Sequence, residues 1–117
     1  MPLVQISVDP KVVDDEAIKK IAQQLPVIVA KALDISAYDM DGALTANDVE
    51  VHVRYANHLD VNTKQLEILI LAGDFEERKR TLLSRQEEIV VAIKKIKPPE
   101  IKGWVWVVLA PSSFGEF

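Results

Sequence analysis

Pro2 stands directly behind the initiator methionine, and Leu3-Val4-Gln5-Ile6-Ser7-Val8 follows at once as an alternating stretch. Methionine aminopeptidases remove Met1 when the second residue is small or proline, which leaves a secondary amine at the head of a β-strand. An amine held against apolar surface loses hydration of its charged form, so its pKa falls. An ordinary α-amino group titrates near ~8, and a modest further drop turns it into a base for use near neutral pH. Pro2 then takes and returns protons with no second base. The plainer expectation is a proline opening an edge strand, tolerated because it has no N–H to pair.

The rest of the composition narrows the chemistry. Cysteine is absent, which removes disulfides, thiolate metal sites and cysteine nucleophiles. Two histidines without a clustered ligand motif argue against structural zinc. Asp39-Met40-Asp41-Gly42 has the start of a calcium loop but lacks its later ligands. No metal and no cofactor is therefore expected. A net charge of −4 argues against a nucleic-acid partner. The only basic cluster, Arg78-Lys79-Arg80, follows Glu76-Glu77 and reads as a solvated helix face. No secretory signal or membrane anchor is visible, so a cytoplasmic protein without a membrane partner is the default.

The elements that must position Pro2 follow from periodicity. Val4, Ile6 and Val8 alternate with Leu3, Gln5 and Ser7, giving a strand with one face against a core. Asp14 or Asp15 caps a helix carrying Ile18, Ile21, Leu25, Val29 and Leu33 at helical spacing, with a kink or break expected at Pro26. Residues 34–47 read as a loop. A second strand over 48–56 sets Val49, Val51, Val53 and Tyr55 against Glu50, His52 and Arg54, a polar face expected in mid-sheet. Residues 66–72 form the most apolar strand so far, which predicts a central position. A second helix runs over about 76–97, with Leu82, Leu83, Ile89, Val90, Ile93 and Ile96 inward. Pro98-Pro99 stops it. A fourth strand spans 104–109, and a short tail ends at Phe117.

Strand-helix-strand thus occurs twice, in halves of about 1–58 and 62–117 within one domain spanning 1–117. Each half is a parallel strand pair with a right-handed crossover. The predicted fold class is α+β in two layers: tandem β-α-β units forming a four-stranded mixed sheet with two helices on one face. The other face is left bare, carrying Gln5, Ser7, Glu50, His52, Arg54, Trp104 and Trp106. Indoles are seldom left exposed on a monomer, so copies of the chain are expected to pack there around a shared axis.

Met1-Pro2-Leu3-Val4, the run Leu44-Thr45-Ala46-Asn47-Asp48-Val49-Glu50-Val51, the doubled unit, and Trp104-Val105-Trp106-Val107 leading to Phe114-Gly115-Glu116-Phe117 together resemble the tautomerase superfamily. That group contains 4-oxalocrotonate tautomerase, 5-carboxymethyl-2-hydroxymuconate isomerase, malonate semialdehyde decarboxylase and macrophage migration inhibitory factor. The resemblance implies a homotrimer with its helices outside. It also implies a free amino-terminal proline as base or acid, in a pocket near a subunit boundary. Its substrate-binding arginines do not transfer. Lys11 follows the first strand one residue off the family position, Glu50 occupies the second-strand position, and Ala72 and Asp74 stand where the decarboxylases carry two arginines, with Arg78 and Arg80 a turn later.

The candidate set around Pro2 is accordingly mixed: Lys11, His52, Arg54 and Asp74, with aromatic walls from Trp106, Phe114 or Phe117. Each has a structural alternative. His52 suits a hydrogen-bonded interface, Arg54 an ion pair with Glu50 of a neighbour, Asp74 a helix cap, Lys11 a solvated loop, and the indoles packing. The implied function is a cofactor-independent tautomerase or isomerase. Pro2 would move a proton on a small 2-oxo or enol acid while Arg54 or Lys11 stabilises the enolate. The same site with Pro2 protonated suits hydration or decarboxylation. A non-catalytic trimer that binds a partner is the reading from a different class.

Overall fold

The computed structural model describes residues 2–113 and 115–117. Strand β1 (Leu3–Val8) lies between β2 (Glu50–Tyr55) and β3 (Leu66–Gly73), and β4 (Gly103–Ala110) completes the order β2-β1-β3-β4. β1 runs parallel to β2 and β3 parallel to β4, while β1 and β3 join antiparallel. This is the mixed four-stranded sheet that the doubled pattern predicts.

Val4, Ile6 and Val8 of β1 and Ile70 of β3 are fully buried, with Leu66 and Ile68 almost so. Their face meets helix α1 (Asp15–Leu33) and helix α3 (Leu82–Ile96). Asp14 caps α1 by accepting from Ala17 N at 2.9 Å. The expected break at Pro26 does not occur, because Ile21, Leu25 and Val29 on either side are fully buried. That packing outweighs one missing backbone hydrogen bond.

Two other expectations change. β2 is an edge strand and mostly exposed, not mid-sheet, because the second unit joins the first across β1 and β3. The second helix is split into α2 (Glu76–Arg80) and α3 at Thr81. There the Thr81 hydroxyl donates to Glu77 O and accepts from Arg85 Nε, each at 2.7 Å. Such local side-chain bonding competes with helix continuation. Past the break, Ile89 and Ile93 face the core, whereas Leu83, expected inward, is 68% exposed.

Arg78 departs furthest from its expected role. It is 3% exposed rather than solvated. Its Nε donates to Leu33 O at 2.9 Å, Nη1 to Gly73 O at 3.2 Å and Nη2 to Gly42 O at 3.2 Å. One guanidinium thus ties the C-terminus of α1, the 34–48 connection and the end of β3. The Phe75 ring lies 4.8 Å beneath it. Burial, then the like charge of Arg85, pulls its pKa below the ordinary arginine value, while Asp34 opposes that shift.

Arg85 adds donors to Ala32 O at 2.9 Å and Asp34 O at 3.2 Å. Cations bonded to the last carbonyls of a helix also complement its dipole. The other two residues of the basic cluster are surface partners, Lys79 of Asp74 at 3.5 Å and Arg80 of Glu77 at 2.7 Å. Desolvation acts to raise the Asp34 pKa, but hydrogen bonds from Leu44 N and from Ser36, with the charge of Arg78, leave it below the usual carboxylate value.

Replacing Arg78 by alanine takes a donor away from three carbonyls, of which Gly42 O and Gly73 O keep Ile35 N and Phe75 N. It is expected to cost about 3 kcal/mol in urea unfolding, with Arg78→Lys recovering only part of the loss. At Gly42 an added Cβ would run into the buried Ile35 side chain, so Gly42→Ala is expected to lower the urea midpoint as well. Asp34 has a depressed folded-state pKa, so its contribution is present above its unfolded value near ~3.9 and lost as pH falls through the folded one. The stability gap between wild type and Asp34→Ala, followed by urea melts against pH, should therefore shrink in acid.

Candidate functional site

Register decides what surrounds Pro2. Leu3 lies opposite Glu50 on one side and Leu71 on the other. One further step sets Pro2 between Val49 and Ala72, and Ala72 pairs with Leu109. Pro2 shares the parity of Val4, so it belongs to the helix-facing rows, and it is buried. Its neighbours in that row are apolar: Val49 is 8% and Ala72 6% exposed. Glu50 N donates to Pro2 O at 3.1 Å, anchoring the residue to β2. β1 is central, so the edge-strand alternative for Pro2 does not hold. Met1 lies outside the described residues.

The guanidinium at this end of the sheet is that of Arg78, bonded to Gly73 O one residue past Ala72. Its bonds to three carbonyls make it a positioning residue there. Asp74 is at the same end, just beyond β3, and pairs with Lys79. It does not cap α2, whose N-cap is Phe75. The tail leaves β4 here too, since Ala110 lies opposite Gly73. Phe117 is fully exposed, and Phe114 lies outside the described residues.

The other candidates do not join Pro2 within one chain. Arg54 pairs with Ser7 near the far end of β1, five strand residues from the level of Pro2, or roughly 16 Å at ~3.3 Å per residue. Lys11 follows Asp9, whose N donates to Gln65 O at 3.0 Å, and so belongs to that far end as well. His52 and Trp106 occupy the middle of the open face, opposite to the row of Pro2. His52 Nε2 lies 3.2 Å from Glu50 Oε2, so Glu50 already has an intrachain partner other than Arg54.

The open face is organised in rows that cross all four strands. Glu50–Leu3–Leu71–Val108 lies nearest Pro2, His52–Gln5–Leu69–Trp106 comes next, and Arg54–Ser7–Glu67–Trp104 is furthest away. Trp104 and Trp106 stack with ring centroids 6.1 Å apart and remain about half exposed. Their partners were not anticipated. Lys64 Nζ sits 4.9 Å above the Trp104 ring, and Trp106 Nε1 donates to Glu67 Oε2 at 3.0 Å. A signal existed for Glu67, the single charged residue in an otherwise apolar strand.

No protein-family model and no curated protein sequence matches the chain. Solved structures do. A malonate semialdehyde decarboxylase superposes with a TM-score of 0.64 at 14% identity, covering 97% of this chain and 91% of its own. A native fused 4-OT gives 0.57 at 16% identity, with the same coverage. A macrophage migration inhibitory factor-like protein from Entamoeba histolytica gives 0.56 at 12% identity, over 94% of this chain and 87% of its own. These neighbours are tautomerase-superfamily members, and the β2-β1-β3-β4 sheet with its helices on one face is the fold this chain shares with them.

Proposed function

We propose that this chain is a cofactor-independent tautomerase or isomerase of a small 2-oxo or enol acid, with Pro2 as general base. The observation that carries this reading is the burial of Pro2 in an apolar row at the head of a central strand, in a chain with the fold of enzymes such as malonate semialdehyde decarboxylase and 4-OT. With Met1 removed, the ring nitrogen becomes a secondary amine whose charged form is poorly hydrated, so its pKa is driven down. It abstracts a proton next to the substrate carbonyl and returns it one or two carbons away.

Charge builds on the carbonyl oxygen during that transfer and requires a cation. Arg54 and Lys11 are the proposed sources, and each chain holds them at the end of β1 away from its own Pro2. A neighbouring copy therefore supplies them in a homotrimer that covers the open sheet face. The half-exposed Trp104 and Trp106, with Leu3, Leu71 and Val108 beside them, support that covering. A fused 4-OT among the neighbours is an asymmetric trimer. Hydration or decarboxylation is the alternative within the class, and the malonate semialdehyde decarboxylase neighbour has both activities.

Ketonisation of phenylenolpyruvate is expected to fall by about a hundredfold or more in Pro2→Ala; equal rates for the two proteins would remove the assignment. The intact mass of natively produced protein should lack one methionine. A retained Met1 would make the proline nitrogen an amide and favour the non-catalytic binding trimer instead. Light scattering should return three chains per particle, and Trp106→Glu should reduce that number.

A further inference from the structure

The outer side of the helix layer, turned away from the sheet, carries a pattern of its own. α1 and α3 run antiparallel, because β1 and β3 do, and Arg85 near the start of α3 reaches Ala32 O near the end of α1 at 2.9 Å. A groove of about 380 Å³ lies between the two helices. Val27 of α1 and Val91 of α3, 61% and 53% exposed, stand on its two sides, and the half-buried Ile28, Ala92 and Ile96 lie lower. Valines exposed side by side at the middle of two packed helices form an apolar strip that gains from being covered.

Charge on α3 is arranged symmetrically about Val91. Glu87 and Glu88 precede it by four and three residues, and Lys94 and Lys95 follow it by three and four. Positions three and four apart share one helix face, and all of these residues are exposed. Among the described residues none of these charges makes an ion pair. At least six residues, ~9 Å of helix rise, separate glutamate from lysine, more than the single turn over which helix side chains pair. The helix dipole accounts for lysines in the last turn. It does not account for the glutamates, which lie beyond the first turn. On α1, Lys31 lines the groove at its Glu88 end and Gln24 at its Lys95 end.

We propose that a second copy of this chain docks here, with α3 antiparallel to the copy's α3 about a two-fold axis through Val91. That axis lays Val91 on the copy's Val91 and sets Glu87 and Glu88 against the copy's Lys94 and Lys95, with the reciprocal contacts at the other end. Ala92 is small and leaves room for a facing valine. On α1 the same axis brings Lys31 to the neutral Gln24 of the copy, so no like charges meet. Parallel pairing would oppose glutamate to glutamate, so the charges also fix direction. The contact lies on the side of the molecule away from the open sheet face. It stands whether or not that face is covered and whether or not Pro2 is a base. Surface ion pairs are individually weak, so association through this face is reversible and rises with concentration.

Sedimentation equilibrium of the whole protein, from about micromolar to about millimolar chain, tests this directly. The average mass is expected to rise with concentration above that of the dilute particle, and to rise less in about 0.5 M salt, which screens the rim charges. Val91→Asp should abolish the rise. Glu88→Lys and Lys95→Glu should each weaken association by about tenfold or more, because like charges then face each other. The double variant, and an equimolar mixture of the two single variants, should recover it, which a mere loss of folding cannot do. Trp106→Glu changes the dilute particle and Pro2→Ala the chemistry, and neither should remove the rise, so this test and those of the proposed function fail separately. A mass that stays constant over the whole range overturns the proposal and leaves the groove to a different protein or to solvent. Single variants that associate like the wild type, or a double variant and mixture that recover nothing, overturn it as well.

Discussion

Three segments of this chain meet at the end of the sheet that holds Pro2, and a single buried guanidinium joins them. Arg78 donates to the last turn of α1, to the connection before β2 and to the last residue of β3. A helix end and a strand end both leave acceptors open, and Arg78 adds a donor to Gly42 O and Gly73 O, which also accept from Ile35 N at 3.4 Å and Phe75 N at 3.2 Å. Arginine suits the position because its planar donors point in fixed, divergent directions, which an ammonium does not reproduce. Phe75 beneath it and Arg85 beside it complete the arrangement. Arg78 thus joins the segments that lead to Val49 and Ala72, the residues flanking Pro2 in its row.

The two faces of the sheet follow different rules. Where the helix-facing rows cross β1 and β3 they are apolar, and Val4, Ile6, Val8, Leu66, Ile68 and Ile70 there are among the least exposed residues in the chain, whereas Val53 and Tyr55 on the edge strand β2 are exposed. The open face is graded. Its row nearest Pro2 carries Leu3, Leu71 and Val108, while its furthest row carries Arg54, Ser7 and Glu67. The grading divides one surface into an apolar and a polar end. The apolar end gains from being covered by protein, because exposed leucine and valine there lose contact with water on association. At the polar end Arg54, Ser7 and Glu67 line a cavity. Trp106 lies in the row between the two and Trp104 in the polar row, and they offer ring area for packing and an edge and a face that orient Glu67 and Lys64.

Separation along β1 is the central fact about the candidate chemistry. A base and the cation that stabilises its product must lie within a few ångströms of one small substrate. Here one strand length stands between Pro2 and Arg54. In the proposed function a single chain would therefore hold two incomplete half-sites at opposite ends of a strand. Symmetric assembly with unlike surfaces in contact brings such ends together, and the proposed trimer is of that kind.

Alternation in Leu3–Val8, the helical spacing of Ile18 to Leu33 and the repetition of strand-helix-strand were enough to read the mixed sheet and its one-sided helix layer. These features are local, because the period of apolar residues follows directly from backbone geometry. The proposal of chemistry at Pro2 draws on the same local reading, since it needs only the residue, its position behind Met1 and the strand after it. Residue types alone did not reveal which candidates are neighbours. Asp74 and Lys11 look equally available in the sequence, yet strand register puts one at the end with Pro2 and the other at the opposite end. Arg78 reads as solvated because charge next to charge usually is. Only the convergence of three carbonyls from distant segments makes burial the lower free-energy state for it. Lys64 and Glu67 gain their roles in the same way, from indoles 40 and 39 residues away in the chain that the pairing of β3 with β4 brings across. Periodicity settles which face a side chain takes; register and long-range hydrogen bonding, which depend on contacts between distant residues, decide what it meets there.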